Sequence, residues 1–223
     1  MKPIVWLFIL CLLIVIPIVF LLVIKASLKW AILGVISWLI GIALKAAISY
    51  GLSILTKSKL PITIQSTFDG FISAMAELGA AAFFLSRTKL DLPDVLAFGI
   101  GIGLFEIFFT MFMAVDEISQ EKSKPPTLWE SISWISGMFI IERALTLVGH
   151  TASRIIVYIA IVERWLLPAF CALAIFSFVD GFASYGVLAK WDWASPVIKK
   201  RLYVVLVITT ILEVVLAYFF WNV

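Results

Sequence analysis

The chain has 223 residues, of which 63% are hydrophobic and 14% charged, with a mean hydropathy of +1.13. A soluble domain of this size could not present such a composition to water, so the sequence excludes one and indicates an integral membrane protein. The formal net charge of +3 is small, and no basic run is long enough to argue for nucleic acid.

With about 20 apolar residues per crossing, the whole chain, 1–223, divides into about seven spans of one all-α transmembrane bundle: roughly 3–24, 30–55, 63–86, 93–115, 129–161, 165–189 and 202–222. The first run is too long and too apolar for a cleavable signal peptide and carries no small-residue cleavage site, so it is expected to stay as a span. Pro61, Pro93, Pro125, Pro126 and Pro196 punctuate the intervals, where a proline can open the next helix without losing a needed donor. Pro17 and Pro168 fall inside spans and are expected to kink them. The fifth span is long enough to tilt, and Gly149 could mark a bend in it.

Short-loop lysines and arginines set orientation. One side collects Lys2, Lys57, Lys59, Lys122, Lys124, Lys190, Lys199, Lys200 and Arg201; the other collects Lys25, Lys29, Arg87, Lys89 and Arg164. The bias places the amino terminus in the cytoplasm and the carboxyl terminus outside, in what is expected to be the plasma membrane. Trp129, Trp165, Trp191, Trp193 and Trp221 lie near span ends, as interfacial belts do. Cys11 and Cys171 sit in apolar runs and read as packing residues.

The functional candidates are ionisable groups inside spans, which are costly there and by default mark a functional site. Arg143, Thr146, His150 and Arg154 share one side of the fifth helix, with Glu142 on its flank. Asp69, Ser73 and Glu77 recur every four residues in the third, followed by Gly79, Ala80, Ala81 and Ala82, which would let a neighbour approach. In the fourth, Gly99, Gly103 and Glu106 share a face. Asp180 precedes Gly181 in the sixth, and Glu213 stands without a basic neighbour in the seventh. Six acids and three bases (Lys45, Arg143 and Arg154) lie within spans, so the surplus must be met by protons, a bound cation or contact with water; Asp69 and Lys45 fit the last. The residues alone allow an ion-pair network that fixes helix register, a metal site on His150 with Glu77 and Glu106, or proton and ion handling.

The segment Phe98-Gly99-Ile100-Gly101-Ile102-Gly103-Leu104-Phe105-Glu106 resembles the GxGHGGxE motif of the YhfC family of intramembrane metalloproteases, relatives of PrsW and the CAAX prenyl proteases. Ala76-Glu77-Leu78-Gly79-Ala80 is similar to its EExxR, Glu142-Arg143 with His150 to its ER and downstream histidine, and Phe176 to Asp180 to its HxxxD. The resemblance covers about residues 65–185 and implies a CAAX-protease-like core of spans three to six. It also implies Glu77 as the water-activating carboxylate and Glu106 with His150 as zinc ligands in an active enzyme. The departures are chemical: Ala76, Ala80, Ile102 and Phe176 replace a glutamate, an arginine and two histidines of the pattern. A water-activating zinc needs its full ligand count and supporting shell. The expectation is therefore a non-catalytic scaffold or binding subunit without a cofactor, as the Aph subunit of gamma-secretase exemplifies. Its polar cavity would comprise Glu77, Glu106, Glu142, Arg143, His150, Arg154 and Asp180. The expected partners are lipids, other membrane subunits or transmembrane peptides. An active peptidase with a rearranged site, and a proton- or ion-handling subunit, are the alternatives.

Overall fold

A computed structural model describes residues 3–55, 60–121, 137–193 and 195–223. Among them every element is a helix: α1 (Pro3–Val23), α2 (Leu28–Leu55), α3 (Ile62–Leu85), α4 (Leu92–Glu121), α5 (Gly137–Val162), α6 (Leu166–Leu188) and α7 (Pro196–Trp221). Six of these are long and apolar enough to cross a membrane, so the chain is a multi-pass membrane protein built as a helical bundle. The exception is α1, whose apolar stretch in that respect is the shorter Leu7–Val23. The start of the expected fifth span, with Pro125, Pro126 and Trp129, lies outside the described residues, as do Lys2, Lys57, Lys59, Lys122 and Lys124.

Successive helices run antiparallel, and contacts between the turns fix which ends meet. The backbone N–H of Ser27, after α1, donates to Asp94 at the start of α4. The Tyr158 hydroxyl near the end of α5 exchanges hydrogen bonds with the backbone of Leu90, before α4. Trp165, before α6, meets Phe220 near the end of α7 edge to face. We call this the first end of the bundle; the turn between α6 and α7 lies at the second. The helix α5 packs against α1, α3, α4, α6 and α7, so every other helix but α2 rests on it.

Small residues set the helix spacing, since without a hydrophobic drive in lipid, helices associate through close packing. A Cβ on Gly101 would lie 2.2 Å from the Ala31 carbonyl of α2, and one on Gly34 would lie 2.1 Å from the Phe98 carbonyl of α4. On the other face of α4, Gly99 and Gly103 meet the backbone of Thr151 and Leu147 in α5. The closest approach in α3 is at Gly70, where a Cβ would stand 2.2 Å from the Ser177 carbonyl beside Gly181 of α6. By contrast Gly79 is exposed with open space beside it, so the small-residue contact expected there is made by Ala80, Ala81 and Ala82.

Several other expectations need correction. Pro168 is the third residue of α6, in the first turn, where its missing N–H has no intrahelical acceptor to lose, so it does not kink a span interior. α5 runs unbroken through Gly149, whose bare backbone accommodates the Glu213 carboxylate, 2.9 Å from where a Cβ would stand. α7 begins at Pro196, six residues before the expected 202, so Lys199, Lys200 and Arg201 lie in its opening turns. Cys11 and Cys171 are free; Cys171 packs against the core, but Cys11 faces outward. Trp191 and Trp193 pack over Gly186 at the second end, and Trp221 stacks on Tyr158 at the first.

Candidate functional site: a polar cavity between six helices

Charged side chains from α2, α3, α4, α5, α6 and α7 converge on one cavity of about 310 Å³. Its walls include Lys45, Glu77, Glu106, Glu142, Arg143 and His150, together with Asp180 and Glu213. Hydrophobic surface from Trp38, Ile42, Phe176 and Leu206 completes it. Arg154 lies behind the wall, fully buried.

The groups form layers. Glu77, Arg154 and Glu213 each stand eight residues before the ends of their helices at Leu85, Val162 and Trp221, which is about 12 Å from the first end at about 1.5 Å per residue. Glu106, His150 and Asp180 lie deeper from that end, and Lys45, Glu142 and Arg143 nearer the second. Exposure follows the same order. The side chains of Lys45, Glu142 and Asp180 are 35%, 30% and 28% exposed, against 5% for Glu77 and 0% for Arg154. The cavity therefore opens toward the second end and closes at Glu77, Arg154 and Glu213.

Around α4 and α5 the charges are closely paired. Arg143 donates to Glu106 at 3.0 Å, to Glu142 at 2.5 Å and to the Thr110 hydroxyl at 3.0 Å. His150 Nε2 bonds to the other oxygen of Glu106, which an ionised carboxylate can accept only from a protonated ring nitrogen. The face carrying Gly99, Gly103 and Glu106 thus meets α5 along its length, through bare backbone toward the first end and ions toward the second. On α3 and α6, Ser73 bridges Glu77, at 3.3 Å, to Asp180, which also accepts from Lys45 at 3.2 Å. Asp69 stands apart from the cavity, accepting from Ser184 at 2.6 Å.

Arg154 is held differently. Its Nη1 donates to Ser153 at 2.8 Å and its guanidinium lies 5.1 Å from the Phe176 ring, but Nη2 is 3.6 Å from Glu77, beyond a hydrogen bond. Nε, Nη2 and the facing Glu77 oxygen are buried without a hydrogen-bond partner. Glu213 reaches the same layer from α7; it is 6% exposed and forms no ion pair or hydrogen bond with any described residue.

The donor set does not fit the zinc that the family resemblance would imply. Among the described residues no three His, Cys, Asp or Glu side chains converge as ligands. Both oxygens of Glu106 are engaged, one by Arg143 and one by His150. Glu77 faces a guanidinium, whose charge opposes a dication. The two positions where the family pattern has histidine are packed with hydrocarbon, Ile102 at 0% exposure and Phe176 between His150 and Arg154.

Sequence reasoning left Glu213 outside the cavity group because no motif contains it. Its one signal is an unpaired acid in a long apolar run. Lys45, expected to be shallow, is 35% exposed in its side chain and belongs to the cavity mouth through Asp180. No known protein family, no curated protein and no solved structure matches the chain.

Proposed function

We propose that the chain is a non-catalytic binding subunit of a membrane assembly, using its intramembrane cavity to hold a ligand or fix its own register. The observation that carries this reading is the engagement of Glu106, with one oxygen on Arg143 and the other on His150. The resemblance to the YhfC-type proteases supplies a core whose carboxylates and histidine would chelate and activate water. In this chain those same groups are neutralised by arginines and by each other, so they serve recognition and helix registration.

Apolar outward faces on α6 and α7, including Phe170, Phe178, Val207 and Ile211, suit lipid or the helices of other membrane subunits. The lysine and arginine distribution supports an amino terminus in the cytoplasm, and the plasma membrane is the proposed location. The cavity mouth, at the lysine-rich second end, would then face the cytoplasm. This orientation requires α1 to cross along with the other six helices.

The test is elemental analysis of protein purified without chelators, combined with a membrane-peptide cleavage assay. The reading predicts substoichiometric metal and no cleavage. Stoichiometric zinc with cleavage that Glu77→Ala abolishes would replace it with the peptidase reading.

A further inference from the structure

Resting on the binding reading above, we propose that the cavity takes a small organic monocation, an ammonium group seated against Glu213 and admitted from the Lys45 and Asp180 end. Five carboxyls, Glu77, Glu106, Glu142, Asp180 and Glu213, stand against Lys45, Arg143, Arg154 and the one histidine, so acids outnumber bases around the cavity. Asp180 is matched by Lys45, and Glu106 and Glu142 surround Arg143 with His150 alongside. In the closed layer, Arg154 stands 3.6 Å from Glu77 and forms no ion pair with Glu213. Glu213 is more than nine-tenths buried, lines the cavity and has no partner among the described residues. A buried carboxylate in that condition is costly until something neutralises it.

Size and wall chemistry define the occupant. At about 30 Å³ per water, 310 Å³ is room for about ten waters, far more than a bare metal ion fills and at the lower limit for small-molecule sites. Beside Glu213 the hydroxyl protons of Thr209 and Thr210 are directed at the Val205 and Leu145 carbonyls, at 2.8 and 3.5 Å, so both oxygens keep lone pairs for a cation or an N–H donor. A bare ion would leave most of the volume unfilled. The rings of Phe176 and Trp38, however, supply faces and edges against which an alkylammonium can rest while its charge meets the carboxylate. An anion is disfavoured, because the cationic side chains that line the cavity, Lys45 and Arg143, already face carboxylates, and Arg154 is sealed behind the wall.

Thermal unfolding of the full chain in phosphatidylglycerol nanodiscs, at neutral pH and constant ionic strength, tests the proposal. The probes are propylammonium, charged at that pH, sodium, and neutral 1-butanol; a parallel set of nanodiscs contains phosphatidylethanolamine as the tethered source of the same head group. Propylammonium is expected to raise the midpoint saturably where sodium and butanol do not, and Glu213→Gln to weaken its apparent affinity by about 30-fold or more. Stabilisation by phosphatidylethanolamine alone would support the same site with a lipid source. Equal stabilisation by butanol, or none by either amine, would overturn the proposal using wild-type protein alone, even if the variant failed to fold. That outcome in a protein without metal or cleavage would remove the ammonium ligand while leaving the non-catalytic reading intact.

Discussion

The α4–α5 seam has two halves that solve the same packing problem differently. Toward the first end, Gly99 and Gly103 bring backbone against Thr151 and Leu147, leaving no room for side chains. Toward the second, Glu106 reaches Arg143 with one oxygen and turns the other back to His150, beside the cavity. The dry half gains its stability from close contact and tolerates no added volume. The polar half tolerates volume but depends on charge balance, because an ion stripped of its partner in that setting loses more than the pair contributes when whole. The contrast shows how one helix, α5, can be clamped through Leu147 and Thr151 and still leave a ligand-sized hollow on the side that carries Thr146, Gly149 and His150.

The largest expected effect is on the polar side, at the buried end. Arg154→Met removes the guanidinium facing two buried carboxylates and should cost about 3–5 kcal/mol in unfolding free energy. Arg143→Met should cost less, because Glu142 and Glu106 are 30% and 18% exposed and can hydrate. Equal losses would erase the distinction between a closed and an open end.

On the dry side, Gly103→Ala would place a Cβ 2.8 Å from the Leu147 Cα, and the resulting shift should cost about 1–3 kcal/mol. Gly79→Ala is the matched control. With nothing within 4 Å it should be neutral or stabilise α3 by up to about 1 kcal/mol. Similar behaviour of the two glycines in detergent unfolding would show that the seam is not the constraint.

The smallest effect is expected at the mouth, where Lys45→Gln removes a pair that water already reaches and should change stability by less than about 1 kcal/mol. A loss comparable to that of Arg154→Met would mean that the cavity does not open at this end.

Much of the architecture was legible because long apolar runs bounded by proline and charge leave few alternatives to a spanning helix. The expected ends of the second and third spans fall within two residues of Leu28–Leu55 and Ile62–Leu85. Helical periodicity also put Gly99, Gly103 and Glu106 on one face, and the structure turns that face to α5. What periodicity cannot supply is the neighbour. Gly70 and Gly34 belong to no motif or polar stripe, and their role depends on which backbone crosses them. Gly149 suggested a bend through its flexibility, whereas α7 uses its missing side chain as space for Glu213. Glu213 itself gave no pattern, since its relation to Arg154 is made entirely by the packing of α7 against α5.

The account stands on charges from different helices being partnered across the cavity, and a double-mutant cycle on Glu106→Gln and Arg143→Met addresses this most directly. Their 3.0 Å contact predicts a coupling of about 1.5 kcal/mol or more in unfolding free energy. Additive effects, with coupling indistinguishable from zero, would contradict the pairing on which both the cavity and its function rest.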